Sequence, residues 1–233
     1  MKNLIKLCVV AFAMVSSSAW AQCNTDAWDH VETGVDPVVA NTNNPLSGAC
    51  SLEVPVTIGK RYVEDQMTTE LSFRGSYQID PNSIDIPISG GGNKIKVHNV
   101  QCVGGCSAYG SVDWHQAKLR KEAAGFKLGM WARDASGTRI SYSHLLNDGC
   151  NTVEYQLIAG NPGTYRVWVN NTDENNPDFE ITNADFTGRY TDRVRMGRMG
   201  QGVNINANAT GESYYLDTFE SRRQTFIGNT CSP

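Results

Sequence analysis

The chain has 233 residues, of which 24 are acidic and 20 are lysine or arginine, for a formal net charge of −4. A mildly acidic chain without a long run of lysine and arginine is a poor candidate for nucleic-acid binding. After the N-terminus, no segment approaches the roughly 20 apolar residues that a membrane-spanning helix needs.

The first 21 residues have the pattern of a secretion signal. Lys2 and Lys6 precede the apolar run Leu7–Val15, and Ala19–Ala21 provides a small-x-small cleavage site. We therefore expect residues 1–21 to be removed and residues 22–233 to form one exported domain with a net charge of −6. The signal does not distinguish the periplasm from the medium.

Short, two-faced apolar segments separated by turn residues dominate the rest of the chain and predict an all-β fold. We predict strands at Ala27–Glu32, Cys50–Ile58, Arg61–Gln66, Thr69–Ile79, Lys94–Cys102, Gly125–Ala132, Thr138–His144, Thr152–Ala159, Thr164–Asn170, Phe179–Phe186, Asp192–Met199 and Ser213–Ser221. One segment differs: Ser111–Ala124 is rich in helix-forming residues, and Asp113 is placed to cap its start. It predicts one short helix in the loop that follows the Cys102–Cys106 segment.

Six cysteines follow the signal, an even number that predicts disulfides in an exported protein. Cys102 and Cys106 flank Val-Gly-Gly, which is flexible enough to close a small loop. Cys23 has two candidate partners, Cys50 and Cys231, and Cys150 completes the set. Zinc bound by Cys102 and Cys106, with His98 or His115, is the alternative, but the spacing fits no standard zinc pattern.

The order of several segments resembles the secreted bacterial laminin-G-like proteins, which have a concanavalin A-like jelly roll. The segments that carry the resemblance are Trp28–Gly34, Pro45–Val54, Phe73–Pro81, Asp192–Gly197 and Gly211–Gly228. The resemblance implies a two-sheet antiparallel sandwich, here with the one short helix in a cysteine-flanked loop. It implies no particular activity, because function resides in sites and not in folds.

Known catalytic patterns are absent from the sequence. The Glu-x-Asp-x-Glu run of concanavalin-type glycoside hydrolases does not occur, and neither does the Gln-x-His strand of alginate lyases. Tyr142 and His144 lie on one side of a predicted strand, where they could act as the base and acid of a lyase. An exposed strand with mixed polar side chains is the alternative interpretation.

Binding residues are easier to nominate than catalytic ones. Trp114, in the predicted loop, and Trp131 and Trp168, if their strand faces lie outside the core, could stack on sugar rings. The oxygens of Asp173, Asn175 and Asp178 in the Asn-rich loop could coordinate calcium, the one cofactor that the sequence suggests.

A group of three arginines offers a further binding site. Arg193, Arg195 and Arg198 form a solvated face or, alternatively, a site for phosphate or an acidic glycan.

Three functions remain open. The first is a non-catalytic binding module for extracellular polysaccharide or cell-surface glycan. The second is a polysaccharide lyase or glycoside hydrolase with an unfamiliar site. The third is a structural or adhesive surface protein that binds another protein through the Cys102–Lys121 segment.

Overall fold

A computed structural model describes residues 23–32, 38–57, 59–88, 94–106, 112–200 and 211–231. The predicted signal peptide, residues 1–21, lies outside this part of the chain. The described residues form fourteen strands: β1 (His30–Val31), β2 (Val39–Asn41), β3 (Ser51–Pro55), β4 (Arg61–Glu70), β5 (Ser72–Asp80), β6 (Lys94–Gln101), β7 (Asp113–Glu122), β8 (Gly125–Arg133), β9 (Arg139–Leu145), β10 (Asn151–Ile158), β11 (Gly160–Val169), β12 (Phe179–Phe186), β13 (Thr191–Arg198) and β14 (Ser213–Arg222).

The strands form two antiparallel sheets of seven strands each. The front sheet has the order β1-β4-β13-β6-β7-β8-β9, and the back sheet has the order β12-β11-β10-β5-β14-β3-β2. The fold is therefore the all-β, two-sheet sandwich that the sequence predicts. Nowhere in the described ranges is there a helix long and apolar enough to cross a membrane.

The core lies between the sheets because each central strand turns one side toward the other sheet. Ile95, Leu119 and Leu128 project inward from the front sheet, and Tyr155 and Val167 project inward from the back sheet. All five are at most 2% exposed, so the two sheets exclude water from the space between them.

The prediction of a short helix at Ser111–Ala124 is wrong. Residues 113–122 form β7, which pairs with β6 on one side and β8 on the other. Apolar Leu119 packs into the core while its neighbours Lys118 and Arg120 face outward, which is a period of two. The helix-forming residues were overridden by this pairing, and Asp113 accepts side-chain hydrogen bonds instead of capping a helix.

Three disulfides form: Cys23–Cys50, Cys102–Cys106 and Cys150–Cys231. They confirm the predicted Cys102–Cys106 loop and select Cys50 over Cys231 as the partner of Cys23. Such bonds persist in oxidising environments, which agrees with an extracytoplasmic location.

The Cys150–Cys231 bond fastens the C-terminal segment, residues 223–231, across the outer side of the back sheet. The backbone N–H groups of Ile227 and Gly228 donate to the carboxylate of Glu154 on β10, at 3.1 and 2.7 Å. Gln78 Nε2 on β5 donates to Thr230 Oγ1 at 3.0 Å. This segment covers part of the outer side of the back sheet.

Candidate functional site

The outer side of the front sheet carries the polar residues that alternate with the core positions. Strand pairing aligns six of them in one row across the sheet, in the order Glu64, Arg195, Asn99, Gln116, Trp131 and Ser141. We call this surface the basic face and define it by the outward positions of residues 62–66, 193–197, 94–101, 113–122, 125–133 and 139–145.

Cations greatly outnumber acids on the basic face. Its outward positions carry Lys94, Lys96, Lys118, Arg120, Lys127, Arg133, Arg139, Arg193 and Arg195 beside the carboxylates of Glu64, Asp113 and Glu122. The whole chain has a net charge of −4, so positive charge is concentrated on this side of the molecule. A positive surface of this kind attracts anionic ligands.

The three carboxylates are all engaged by neighbouring cations. Glu64 is buried, accepts a hydrogen bond from Arg195 Nε at 2.6 Å and forms an ion pair with Arg193 at 3.3 Å. Asp113 pairs with Lys96 at 3.4 Å. Glu122 likewise pairs with the cations beside it, Arg120 at 2.7 Å and Lys127 at 3.7 Å.

Four cations are left without a carboxylate partner in the part of the chain that the structure describes: Lys94, Lys118, Arg133 and Arg139. They lie on β6 to β9, toward one end of the basic face.

Asp113 also organises the amides at the centre of the face. Its Oδ1 accepts from Asn99 Nδ2 at 2.7 Å and from Gln101 Nε2 at 2.9 Å, while its Oδ2 accepts from Gln116 Nε2 at 3.3 Å. These hydrogen bonds fix the three amide groups in place and use one N–H donor of each. Asn99, Gln101 and Gln116 are at most 6% exposed, so the amides form a buried polar layer at the base of the face.

A depression of about 370 Å³ opens among the unpaired cations. Its lining includes Lys94, Lys118, Gly129, Trp131, Arg139 and Ser143. Gly129 lies directly across from Lys118 on one side and from Ser143 on the other, and it contributes no side chain. The missing side chain at this position creates the depression between rows of longer residues.

The environment of Lys118 is strongly positive. Burial lowers the pKa of its ammonium group, and the nearby cations Lys96, Arg139 and Lys94 lower it further. An anion bound in the depression would relieve this repulsion and favour the charged form of Lys118.

Trp131 lies in the depression and is 6% exposed. The guanidinium carbon of Arg139 lies 4.8 Å from the centre of the indole ring, and that of Arg133 lies 5.0 Å from it. These are cation–π distances, so the indole acts as a platform for two arginines. Of the three tryptophans nominated from the sequence, Trp131 is the one that reaches this site.

The other two nominated tryptophans are buried elsewhere. Trp114 is 0% exposed within the core and contacts Phe186, so the expectation that it lies in an open loop is wrong. Trp168 is 1% exposed because it lies under the C-terminal segment, where Phe226 packs on it at 5.5 Å between ring centres. Neither indole is available to stack on a sugar in this structure.

Tyr142 and His144 do lie on one side of β9 and are hydrogen bonded, with 2.8 Å between the Tyr142 hydroxyl and His144 Nδ1. That side faces β12 of the back sheet, where Tyr142 stacks on Phe179 with ring centres 5.3 Å apart. Burial, together with the charge of Asp178, raises the pKa of Tyr142, which disfavours its use as a base near neutral pH. A catalytic role for this pair stays a prediction.

The nominated calcium residues hydrogen bond within their own loop. Asp173 accepts from the backbone of Asn175 at 2.9 Å and from the side chain of Asn176, and these bonds lower the pKa of Asp173. Asp178 Oδ2 accepts from the backbone of Val169 at 2.7 Å. Over the ranges the structure describes, no three His, Cys, Asp or Glu side chains are close enough to hold a metal ion together. Calcium binding stays a prediction.

Several residues of the site were not nominated from the sequence, notably Lys118, Arg139 and Gln116. The sequence does contain a pattern that predicts a cationic sheet surface. Lys94 and Lys96 are two residues apart, as Arg193 and Arg195 are, and this spacing places both cations on the same side of a strand. Lys118 and Arg120 have the same two-residue spacing, but the segment that contains them is predicted to be a helix, in which residues two apart do not share a side. Arg198 does not join the other two arginines, since it is 2% exposed.

Comparison with known proteins identifies the fold. The chain matches no protein-family profile and no curated protein sequence. Its structure is similar to that of endo-β-1,4-glucuronan lyase from the fungus Trichoderma reesei, with a TM-score of 0.55, 13% identity, and coverage of 86% of this chain and 93% of the other.

The receptor-binding domains of botulinum neurotoxins are also similar in structure. The type D domain has a TM-score of 0.55 at 9% identity, and the type G domain has a TM-score of 0.53 at 8% identity. The chain spans 45% and 43% of those two structures, respectively. These likenesses establish a two-sheet jelly-roll fold shared with proteins of different functions.

Proposed function

We propose that this chain is an exported, non-catalytic module of the laminin-G-like type that binds an acidic extracellular polysaccharide on its basic face. The observation that carries the proposal is the group of unpaired cations, Lys94, Lys118 and Arg139, around the depression beside Trp131. Polymers with regularly spaced carboxylates would match a surface on which cations repeat from strand to strand.

The arrangement of the two sheets supports the same surface. Residues 223–231 cover part of the back sheet, whereas the amides and cations of the front sheet lie on its outer side. Recognition of sugars combines hydroxyl contacts with charge contacts, and the exposed hydroxyl groups of Ser141 and Ser143 line the depression beside the cations. The fold likeness to a glucuronan lyase adds that such a sandwich can accommodate a polyuronate.

A second candidate function is a polysaccharide lyase acting on the same polymer. It is favoured by Lys118, whose lowered pKa suits a base that takes the proton next to a uronate carboxylate. Arg139 would neutralise that carboxylate while a carbon–carbon double bond forms, the glycosidic carbon–oxygen bond breaks, and the newly formed Lys118 ammonium gives its proton to the departing oxygen. This role would place the chemistry in the depression and not at Tyr142 and His144.

A co-sedimentation screen tests the proposal. The oxidised protein is incubated with immobilised polyuronates and with neutral polysaccharides, in calcium and in chelator, and each supernatant is analysed for unsaturated oligosaccharides. Retention on the polyuronates without released products supports the binding module. Released products would make the protein a lyase, and loss of retention in chelator would establish a calcium requirement. Retention on no polysaccharide would contradict both functions and favour a partner of another kind.

A further inference from the structure

The two ends of the basic face are chemically alike and differ from its centre. At each end a guanidinium packs on an aromatic ring, whereas the centre carries the amides held by Asp113. The following inference rests on the proposed function and concerns the length and direction of the ligand.

One end is built around Arg195 on β13. Its guanidinium carbon lies 4.6 Å from the centre of the Tyr62 ring, and it shares the carboxylate of Glu64 with Arg193. Two guanidiniums on one carboxylate leave one positive charge in excess. Arg193 and Arg195 keep 24% and 21% of their side-chain surface exposed, so they can still reach a ligand. We call these two arginines the β13 anchor.

The other end is built around Arg139 on β9. Its guanidinium packs on Trp131, and Lys118 lies on the same side of the sheet two strands away. Within the described chain neither cation has a carboxylate partner, so this end has the stronger positive field. We call Arg139 and Lys118 the β9 anchor.

The separation of the anchors exceeds the size of one sugar. In the front sheet, Lys118 on β7 lies two strand spacings from β13 and Arg139 on β9 lies four, which corresponds to about 10 Å and about 19 Å at the usual distance between neighbouring strands. Asn99 and Gln116 lie between them in the paired row. Both amides are at most 2% exposed, so a polymer that runs along this row would cross the strands above them and meet a cationic anchor at each end.

We infer that the two anchors bind separate carboxylates of one polyuronate chain that lies across the strands, so that the recognised unit is an oligosaccharide long enough to reach from β13 to β9. Binding at the second anchor is then intramolecular, and affinity increases once an oligomer spans both. A shorter oligomer occupies the more positive β9 anchor alone.

Calorimetry with uronate oligosaccharides of defined length, from dimer to octamer, tests this inference. The octamer should bind at least about tenfold more tightly than the dimer, because it adds a charge-assisted contact. Arg139→Gln should weaken every length, whereas Arg195→Gln should weaken the octamer by roughly tenfold and leave the dimer unchanged. Arg166→Gln, on β11 of the back sheet, is the matched control and should bind like the unaltered protein.

Arg193→Gln is the second variant at the β13 anchor, because it leaves Arg195 paired with the buried Glu64. Melting temperatures are measured for every variant to separate folding from binding. An affinity that is the same for dimer and octamer, or octamer binding that is insensitive to both β13 variants, would overturn the inference while leaving the proposed function intact. Failure of every oligomer and of the intact polymer to bind would refute both.

Discussion

Lys118 on β7 lies directly across from Gly129 on β8, so an ammonium group that has no carboxylate partner in the described structure borders a position without a side chain. Glycine in a strand loses packing and conformational entropy, which costs stability in a position like this one. Gly129 needs no unusual backbone conformation here, and an added Cβ would meet only Lys118 O, at 3.9 Å. The glycine is therefore not required by the fold, which points to a role for the open space itself.

Replacing Gly129 by valine tests that role. We predict that Gly129→Val raises the free energy of unfolding by about 0.5–1 kcal/mol, because valine favours strands, and that it weakens polyuronate binding by filling the depression. Urea unfolding and calorimetry measure the two effects. Unchanged affinity in a folded Gly129→Val protein would exclude the depression from the binding site.

The tryptophans provide a contrast between the two surfaces. Trp131→Leu should weaken polyuronate binding several-fold, because Arg139 loses the ring on which it packs. Trp168→Leu should lower stability through the lost contact with Phe226 and leave affinity unchanged, since it lies on the back sheet. Affinity and melting temperature are compared for both variants. Equal affinity losses, or a loss in Trp168→Leu alone, would move the site away from the basic face.

The pH dependence of binding reports on Lys118. Since burial and neighbouring cations lower its pKa, Lys118 loses its charge at a lower pH than an ordinary lysine. We predict that affinity for a polyuronate declines as the pH rises, at a lower pH than an ordinary lysine would produce, and that Lys118→Arg shows a flatter profile because arginine stays charged. The comparison uses titrations at several pH values. Identical pH profiles of affinity for the two proteins would show that the protonation state of Lys118 does not affect binding.

The pH dependence of stability reports on two histidines in the core. His98 and His115 are fully buried with their rings 5.8 Å apart, and His115 stacks on Tyr155. Burial lowers the pKa of both, that of His115 to about 3. The unfolded imidazoles take up protons below about pH 6.5 while the folded ones remain neutral, so stability is lost as the pH falls below that value.

His115→Phe should reduce this loss. The variant removes one of the two proton-binding sites, so the slope of unfolding free energy against pH should decrease by up to about 1.4 kcal/mol per pH unit between about pH 6 and pH 4. Urea unfolding across this range measures the slope, with His144→Phe on the edge strand β9 as the control. A slope equal to that of the unaltered protein would show that His115 is protonated in the folded state.

Much of the fold could be predicted from the alternation of apolar and polar residues alone. Each of the twelve predicted strands overlaps a strand of the structure, because segments such as Tyr165–Asn170 place apolar residues on every second position. The two strands that were missed, β2 and β7, show the limits of that signal. β2 has only three residues, and β7 contains strong helix formers whose strand conformation depends on pairing with β6 and β8.

The candidate site was less predictable, for a physical reason. Its residues come from six strands, and the order β4-β13-β6-β7-β8-β9 that brings Arg195 and Trp131 into one row is not local information. The burial of Trp168 could not be predicted from its own strand either, because the segment that covers it lies almost 60 residues later in the chain. The sequence nominates Trp131, but its contact with Arg139 depends on pairing between β8 and β9.

The most direct measurement of the central claim compares the affinity of the oxidised protein for a polyuronate with its affinity for the same polymer after the carboxylates have been reduced to alcohols. Both affinities are also measured for the double variant Lys118→Gln/Arg139→Gln. The account predicts tight binding of the charged polymer, weak binding of the reduced polymer, and loss of the difference in the double variant. Equal binding of both polymers, or full affinity in a folded double variant, would contradict recognition of carboxylates by the basic face.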